Sequence, residues 1–153
     1  MKKKILIFGG TGLLGTNLVY NLQKKFQIFL NFHNKKFFSK YVKYIKIIDH
    51  KNINNEEIKK KIDEIDPSII INCAAITDLE ICEKKPNETE FANCILPDIL
   101  SKISFEKKIK FLHFSTDHLF SGSKKFKIEK DKTFLLNNYA KQKLIAEKKN
   151  NSK

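Results

Sequence analysis

Three glycines spaced by three, Gly9, Gly12 and Gly15, stand where a short apolar run gives way to a helical pattern. No other feature limits the folds open to this chain so strongly. Lys4 to Phe8 is the β-branched and aromatic run of a strand, and Leu13, Leu14, Leu18 and Leu22 then recur at helical spacing. The reading is strand, turn, helix. In such a turn the first glycine permits a tight bend and the second lets backbone N–H groups approach a pyrophosphate. The third lets the helix pack closely on the strand. A glycine pattern alone is weak evidence, but this one has the strand before it and the helix after it that a dinucleotide site requires.

The pattern repeats downstream. Ile28 to Phe32 reads as a second strand and Tyr44 to Ile48 as a third, while Ile53, Ile58, Ile62 and Ile65 fall on one face of a helix that Pro67 closes. Ile69 to Ala75 is a continuous apolar run, as expected of a strand buried on both faces. Phe91, Ile95, Ile99, Leu100 and Ile103 form another helical stripe, with Pro97 near its start, and Ile109 to Phe114 gives the next buried strand. Ser121 to Phe134 reads as a long surface loop and Tyr139 to Lys149 as the beginning of a last helix. Strands alternating with helices imply right-handed parallel β-α-β units, hence an α/β, Rossmann-like, doubly wound sheet. At 153 residues the chain is about one domain long, and residues 1–153 are read as a single nucleotide-binding domain.

A formal charge of +13 raises nucleic acid or an acidic membrane as partners. All thirty cations are lysine, however, and they are dispersed along the chain. Arginine, the usual reader of base edges and phosphates, is absent from the sequence, so neither partner is expected. Lys2 to Phe8 mimics the start of a signal peptide, but Gly9, Gly10 and Gly12 cut its apolar run short. No segment approaches the roughly 18 apolar residues of a membrane helix. Cys73, Cys82 and Cys94 form no CxxC pair, which indicates reduced thiols and no metal site. The chain reads as cytosolic.

Two further groups of residues carry chemistry. Ser115 and Thr116 end an expected strand, where doubly wound sheets bind their ligands. Tyr139 and Lys143, four apart at a helix start, project from one face. An ammonium beside a phenol favours the phenolate, which brings tyrosine toward acid and base work near neutrality. NAD-binding folds usually place a carboxylate at the end of the second strand to hold the ribose 2′-hydroxyl. Here Phe32 to Lys36 offers His33, Lys35 and Lys36 instead, cations suited to the 2′-phosphate of NADPH or simply to a solvated basic loop. Asp49 and His50 are placed to border the adenine.

Taken together, these motifs resemble the extended short-chain dehydrogenases/reductases, and several stretches narrow the likeness toward the dTDP-4-dehydrorhamnose reductases. Ile71-Asn72-Cys73-Ala74-Ala75-Ile76-Thr77-Asp78 is similar to that group's segment after the fourth strand. Ser115-Thr116-Asp117-His118-Leu119-Phe120-Ser121-Gly122 resembles its Ser-Thr-Asp-Tyr-Val-Phe-x-Gly signature. Asn93, Glu129, Asp131, Asn137, Tyr139 and Lys143 fall at the family's spacing. The resemblance implies hydride transfer from NADPH or NADH to a keto carbon of a nucleotide-activated sugar, in the making of cell-surface polysaccharide. It implies that Tyr139 donates the proton, that Thr116 holds the carbonyl oxygen, and that Lys143 lowers the tyrosine pKa and binds the nicotinamide ribose. It also implies that Gly9, Thr11, Gly12, Leu13 and Leu14 cradle the pyrophosphate beside Gly15, and that Ala74, Ala75, Thr77 and Ser115 line the cofactor.

His118 and Leu135 depart from the family pattern, which has Tyr and Pro there, without removing a catalytic group. The larger departure is length. Family members continue for about as many residues again, so the sheet and the sugar lobe are expected to be incomplete. An exposed apolar docking surface, and a second polypeptide or a homo-oligomer to cover it, are expected with them. Two other outcomes are open at this point: a regulatory dinucleotide-binding module similar to the β subunit of methionine adenosyltransferase, and an inactive truncated product.

Overall fold

The computed structural model describes residues 2–31, 42–45, 55–122, 126–128 and 130–151. The elements, in order, are β1 (Lys4–Phe8), α1 (Leu13–Leu22), β2 (Gln27–Asn31), β3 (Val42–Ile45), α2 (Asn55–Ile65), β4 (Ile69–Asn72), α3 (Leu79–Lys84) and α4 (Pro86–Glu90). A π turn (Phe91–Ile95), α5 (Leu96–Glu106), β5 (Lys110–His113), a 3₁₀ turn (Asp117–Leu119) and α6 (Asn138–Asn151) complete the chain. These fall into two compact units, residues 1–74 with 99–113 and residues 75–98 with 114–153.

The first unit is the sheet. Its five strands are all parallel in the order β3-β2-β1-β4-β5. The direction of travel reverses at β1, and that reversal is the switch point of a doubly wound fold. Side chains alternate across β1: Ile5 and Ile7 join Val19 of α1, Ile28 and Leu30 of β2 and Ile71 of β4 in one buried cluster. Leu6 and Phe8 turn to the other face, which right-handed crossovers assign to α2 and α5. Lys59 pairs with Glu106 across α2 and α5, and Lys107 pairs with Asp63. Each fully buried Ile, Leu or Phe stabilises by about 1.5–3 kcal/mol, so a β1 closed on both faces anchors the unit.

Several expected boundaries move, each for a local reason. β4 stops at Asn72 rather than Ala75, because the Asn72 side chain accepts from the Ala74 N–H at 3.1 Å and turns the backbone out of the ladder. β5 is not buried on both faces. It is outermost among the described strands, its residues alternate between exposed and half-buried, and Leu112 is half exposed. The stripe around Pro97 is preceded by the π turn, where Leu96 N–H reaches Phe91 O. Proline at position 97 has no N–H to give and crowds the carbonyl four residues back, which favours a widened turn there.

The second unit is helical. Its short α3 goes unread in the apolar pattern, although Asp78 caps it by accepting from Ile81 N at 3.0 Å. The described part of Ser121 to Phe134 contains neither helix nor strand, as the sequence indicates. Ile53 and the stretch Lys46 to Ile48, the latter part of the expected third strand, lie outside the described residues. Among the described residues no helix is long and apolar enough to cross a membrane.

Candidate active site

In the first unit, each glycine of the turn has a separate reason to be glycine. Gly9 has φ +70°, and a Cβ there would stand 2.5 Å from Ala74 N, so the turn after β1 lies directly on the chain leaving β4. A Cβ on Gly10 would collide with the Leu30 side chain of β2. A Cβ on Gly15 would collide with Gly10 and the Gly9 carbonyl, so the helix packs on the turn itself rather than on the strand. Gly12 is different. Its Cβ would meet only the Gly9 carbonyl, at 3.4 Å.

Gly12 is the N-cap of α1, with no side-chain cap and no acidic residue in the first turn, and Leu13 beside it is 88% exposed. A helix start leaves N–H groups without intrahelical partners and carries a partial positive charge. An open backbone of this kind fits a pyrophosphate, and a Cβ would stand in its way. Behind it, Cys73 N–H donates to Phe8 O at 2.9 Å and the Asn72 amide faces His113 Nδ1 at 3.2 Å. Burial pushes the Cys73 thiol up to about 11, so it is no nucleophile.

The second unit holds the hydroxyl and amine groups. Thr116 caps the 3₁₀ turn, its Oγ1 accepting from His118 N at 3.2 Å. Ser115 Oγ donates to Glu147 Oε2 at 2.9 Å. α6 starts firmly: Asn137 Oδ1 accepts from Ala140 N at 2.7 Å, and Glu83 of α3 accepts from Asn138 N at 2.6 Å and Nδ2 at 2.9 Å. That start places Tyr139 and Lys143 inside the unit, both buried. The His118 ring meets the Tyr139 ring edge-on, with centroids 5.9 Å apart.

Charge on this pair differs from the sequence expectation. Burial raises the Tyr139 pKa above the ordinary tyrosine value; a hydrogen bond with Thr116 opposes the rise, and Cys82 and Asp117 add to it. The Lys143 Nζ donates to Phe114 O at 2.5 Å, and burial brings its own pKa down to about 8 against the pull of Glu147. The net shift of Tyr139 is therefore upward where the sequence suggested a lowering, because burial of the phenol outweighs the groups that favour its charged form.

Residues 2–152 match the family model described as RmlD substrate binding domain. The chain belongs to that family. Within it, the chain is 30% identical over 144 residues to a probable low-salt glycan biosynthesis reductase, Agl14, of Haloferax volcanii, covering 92% of this chain and 46% of that protein. It is 29% identical to the dTDP-4-dehydrorhamnose reductase of Salmonella typhimurium, covering 94% and 45%. The crystal structure of dTDP-4-dehydrorhamnose reductase from Bacillus anthracis in complex with NADP superposes with a TM-score of 0.80 at 27% identity, covering 99% and 50%. The chain thus spans about half the length of the relatives it matches.

For this RmlD-family chain, Gly9, Thr11, Gly12, Leu13, Leu14, Gly15 and Ala74 fall in the first unit, and Ala75, Thr77, Ser115, Thr116, Tyr139 and Lys143 in the second. His33, Lys35, Lys36, Asp49, His50 and Glu129 lie outside the described residues. Glu147, Glu83 and Gln142 went unnoticed in the sequence. Glu147 stands one helical turn beyond Lys143, a readable signal, whereas the partners of Glu83 and Gln142 lie some fifty residues away.

Proposed function

We propose that this chain carries the dinucleotide turn and the proton-delivering residues of an NAD(P)H-dependent reductase acting on the keto group of a nucleotide-activated sugar, in the making of cell-surface polysaccharide. The observation that carries the proposal is the buried Tyr139–Lys143 pair, one turn apart on α6, with the Thr116 hydroxyl favouring the charged phenol. The reductase names of the relatives and the NADP in the Bacillus anthracis structure support it.

The backbone of Gly9 to Leu14 would hold the pyrophosphate, with Gly15 closing the turn, and Ala74, Ala75, Thr77 and Ser115 would lie along the cofactor. His33, aided by Lys35 and Lys36, would favour NADPH over NADH, while Asp49 and His50 would border the adenine. When bound, the reduced nicotinamide supplies hydride to the keto carbon.

Tyr139 Oη gives its proton to the carbonyl oxygen, which becomes a hydroxyl, and is left as phenolate. A pKa held above the ordinary tyrosine value keeps the phenol protonated at neutral pH, the form a donor needs. Thr116 Oγ1 hydrogen-bonds the same oxygen. The Lys143 ammonium stabilises the phenolate and, at about 8, sits near enough to neutrality to return a proton. A second polypeptide, or another copy of the chain, supplies the rest of the sugar pocket, and the reaction takes place in the cytosol.

The test is to titrate the purified chain with NADPH and NADH, then to assay dTDP-4-dehydrorhamnose turnover alone and with a separately supplied C-terminal half of a relative. Saturable binding, tighter for NADPH, and turnover reduced about 10²–10⁴-fold by Tyr139→Phe are expected. Binding without turnover in either assay would favour a regulatory module. A folded chain that binds neither nucleotide would overturn the proposal.

A further inference from the structure

We infer that Gln142 is a positioning residue for Tyr139 and Lys143, its buried carboxamide fixing the turn of α6 that presents both. The inference rests on reading those two as the proton-delivering pair.

Gln142 is 7% exposed, and its amide is engaged on every side. Nε2 donates to Pro86 O at 2.9 Å and to Thr89 Oγ1 at 3.0 Å, while Oε1 accepts from Asn93 Nδ2 at 2.9 Å. Asn93, fully buried and presented from the π turn, is itself held by Ile76, whose N–H donates to Oδ1 at 2.8 Å and whose O accepts from Nδ2 at 3.0 Å, and Nδ2 also faces Cys82 Sγ at 3.7 Å. A continuous hydrogen-bonded path therefore runs from the backbone of Ile76 through Asn93 to Gln142, with Thr89 and Pro86 as side supports.

Gln142 follows Tyr139 by three residues and directly precedes Lys143, so all three share little more than one helical turn. Apolar packing resists separation but constrains rotation about a helix axis weakly. A carboxamide with two donors and an acceptor fixed in direction constrains it strongly, because hydrogen bonds lose strength as they bend. Each bond left unmet in this buried place would cost the desolvation of its group. Rotation matters here, since Lys143 reaches Phe114 O from a site only 2% exposed.

Space-filling is the competing account, and under it methionine at position 142 would serve as well. The deciding measurement is the pH profile of Lys143 acetylation by trace acetic anhydride, read by peptide mass spectrometry on the full chain. Thermal unfolding by circular dichroism is run alongside. In the unsubstituted chain half-maximal reactivity is expected at about 8.

Gln142→Met should stay folded yet move that midpoint upward by more than about half a unit, toward free lysine, as the turn loosens and the ammonium gains water. Thr89→Val, which leaves Gln142 in place with one partner fewer, should move it the same way by less. An unchanged midpoint in cooperatively folding Gln142→Met overturns the inference. If Gln142→Met does not fold, Thr89→Val decides alone, and an unchanged midpoint there overturns it equally. Labelling needs no turnover, so a chain without reductase activity would sink the functional proposal and still report on Gln142.

Discussion

Replacing Gly9 and Gly12 separately by alanine should split stability from binding. At Gly9 the methyl enters a backbone with φ +70° and stands 2.5–2.7 Å from Ala74 N, Ala74 Cα and Cys73 C. The left-handed conformation costs an L residue about 1–2 kcal/mol, and forcing a methyl against fixed backbone about 1–3 more, so Gly9→Ala should lose about 2–5 kcal/mol. At about 2–4 °C per kcal/mol for a chain of this size, Tm should fall by roughly 4–20 °C. At Gly12 the backbone, φ −77° and ψ 173°, suits any residue, and the methyl meets only an oxygen at 3.4 Å. Its stability cost is that of a poorer N-cap, under about 1 kcal/mol. In the proposed binding mode that methyl would nevertheless stand in the approach of a pyrophosphate to the helix N–H groups. Losing one charge-assisted bond of about 1.5–3 kcal/mol should weaken NADPH binding about 10–100-fold. Thermal unfolding followed by calorimetric titration reads both quantities. Equal losses of stability in the two variants, or undiminished NADPH affinity in Gly12→Ala, would refute the assignment of separate roles to the two glycines.

The buried lysine gives a signed pH prediction. Its folded pKa of about 8 lies below 10.5, so the unfolded chain binds more protons between those values and stability rises with pH across that window. Measured by urea midpoints, the native chain should gain up to roughly 3 kcal/mol on Lys143→Met between the two ends of it. Lys108 sits at φ +55° just past α5, so Lys108→Gly should stabilise by about 1 kcal/mol and raise Tm correspondingly. Glu83→Ala removes the carboxylate that caps Asn138, and should cost about 0.5–2 kcal/mol with faster amide exchange confined first to the start of α6.

What the sequence displays well is what short stretches of chain decide. β1 and its glycine turn were readable because one apolar run and three spacings suffice, and Tyr139 and Lys143 because four residues make a helical turn. The exposed side of β5 was not, because Ile109 to Phe114 carries the same apolar run whether or not another element covers it. Spacing puts Lys143 on the tyrosine's side of α6, but it cannot show that the ammonium also donates to Phe114 O, twenty-nine residues back in the chain. The direction of the tyrosine shift failed for a related reason: burial is a property of the folded unit, and it outweighs a neighbour that the helix merely permits.

The Asn72 amide at the end of β4 settles a question of tautomers. Its oxygen accepts from the Ala74 N–H, so the nitrogen is the atom turned toward His113 Nδ1. A nitrogen that donates requires a lone pair opposite, which places the imidazole hydrogen on Nε2. Nitrogen chemical shifts of the His113 ring should show the Nε2–H form. A second proton on that ring would set two donors face to face, and the Asn72 amide would have to turn, releasing the Ala74 backbone on which Gly9 rests.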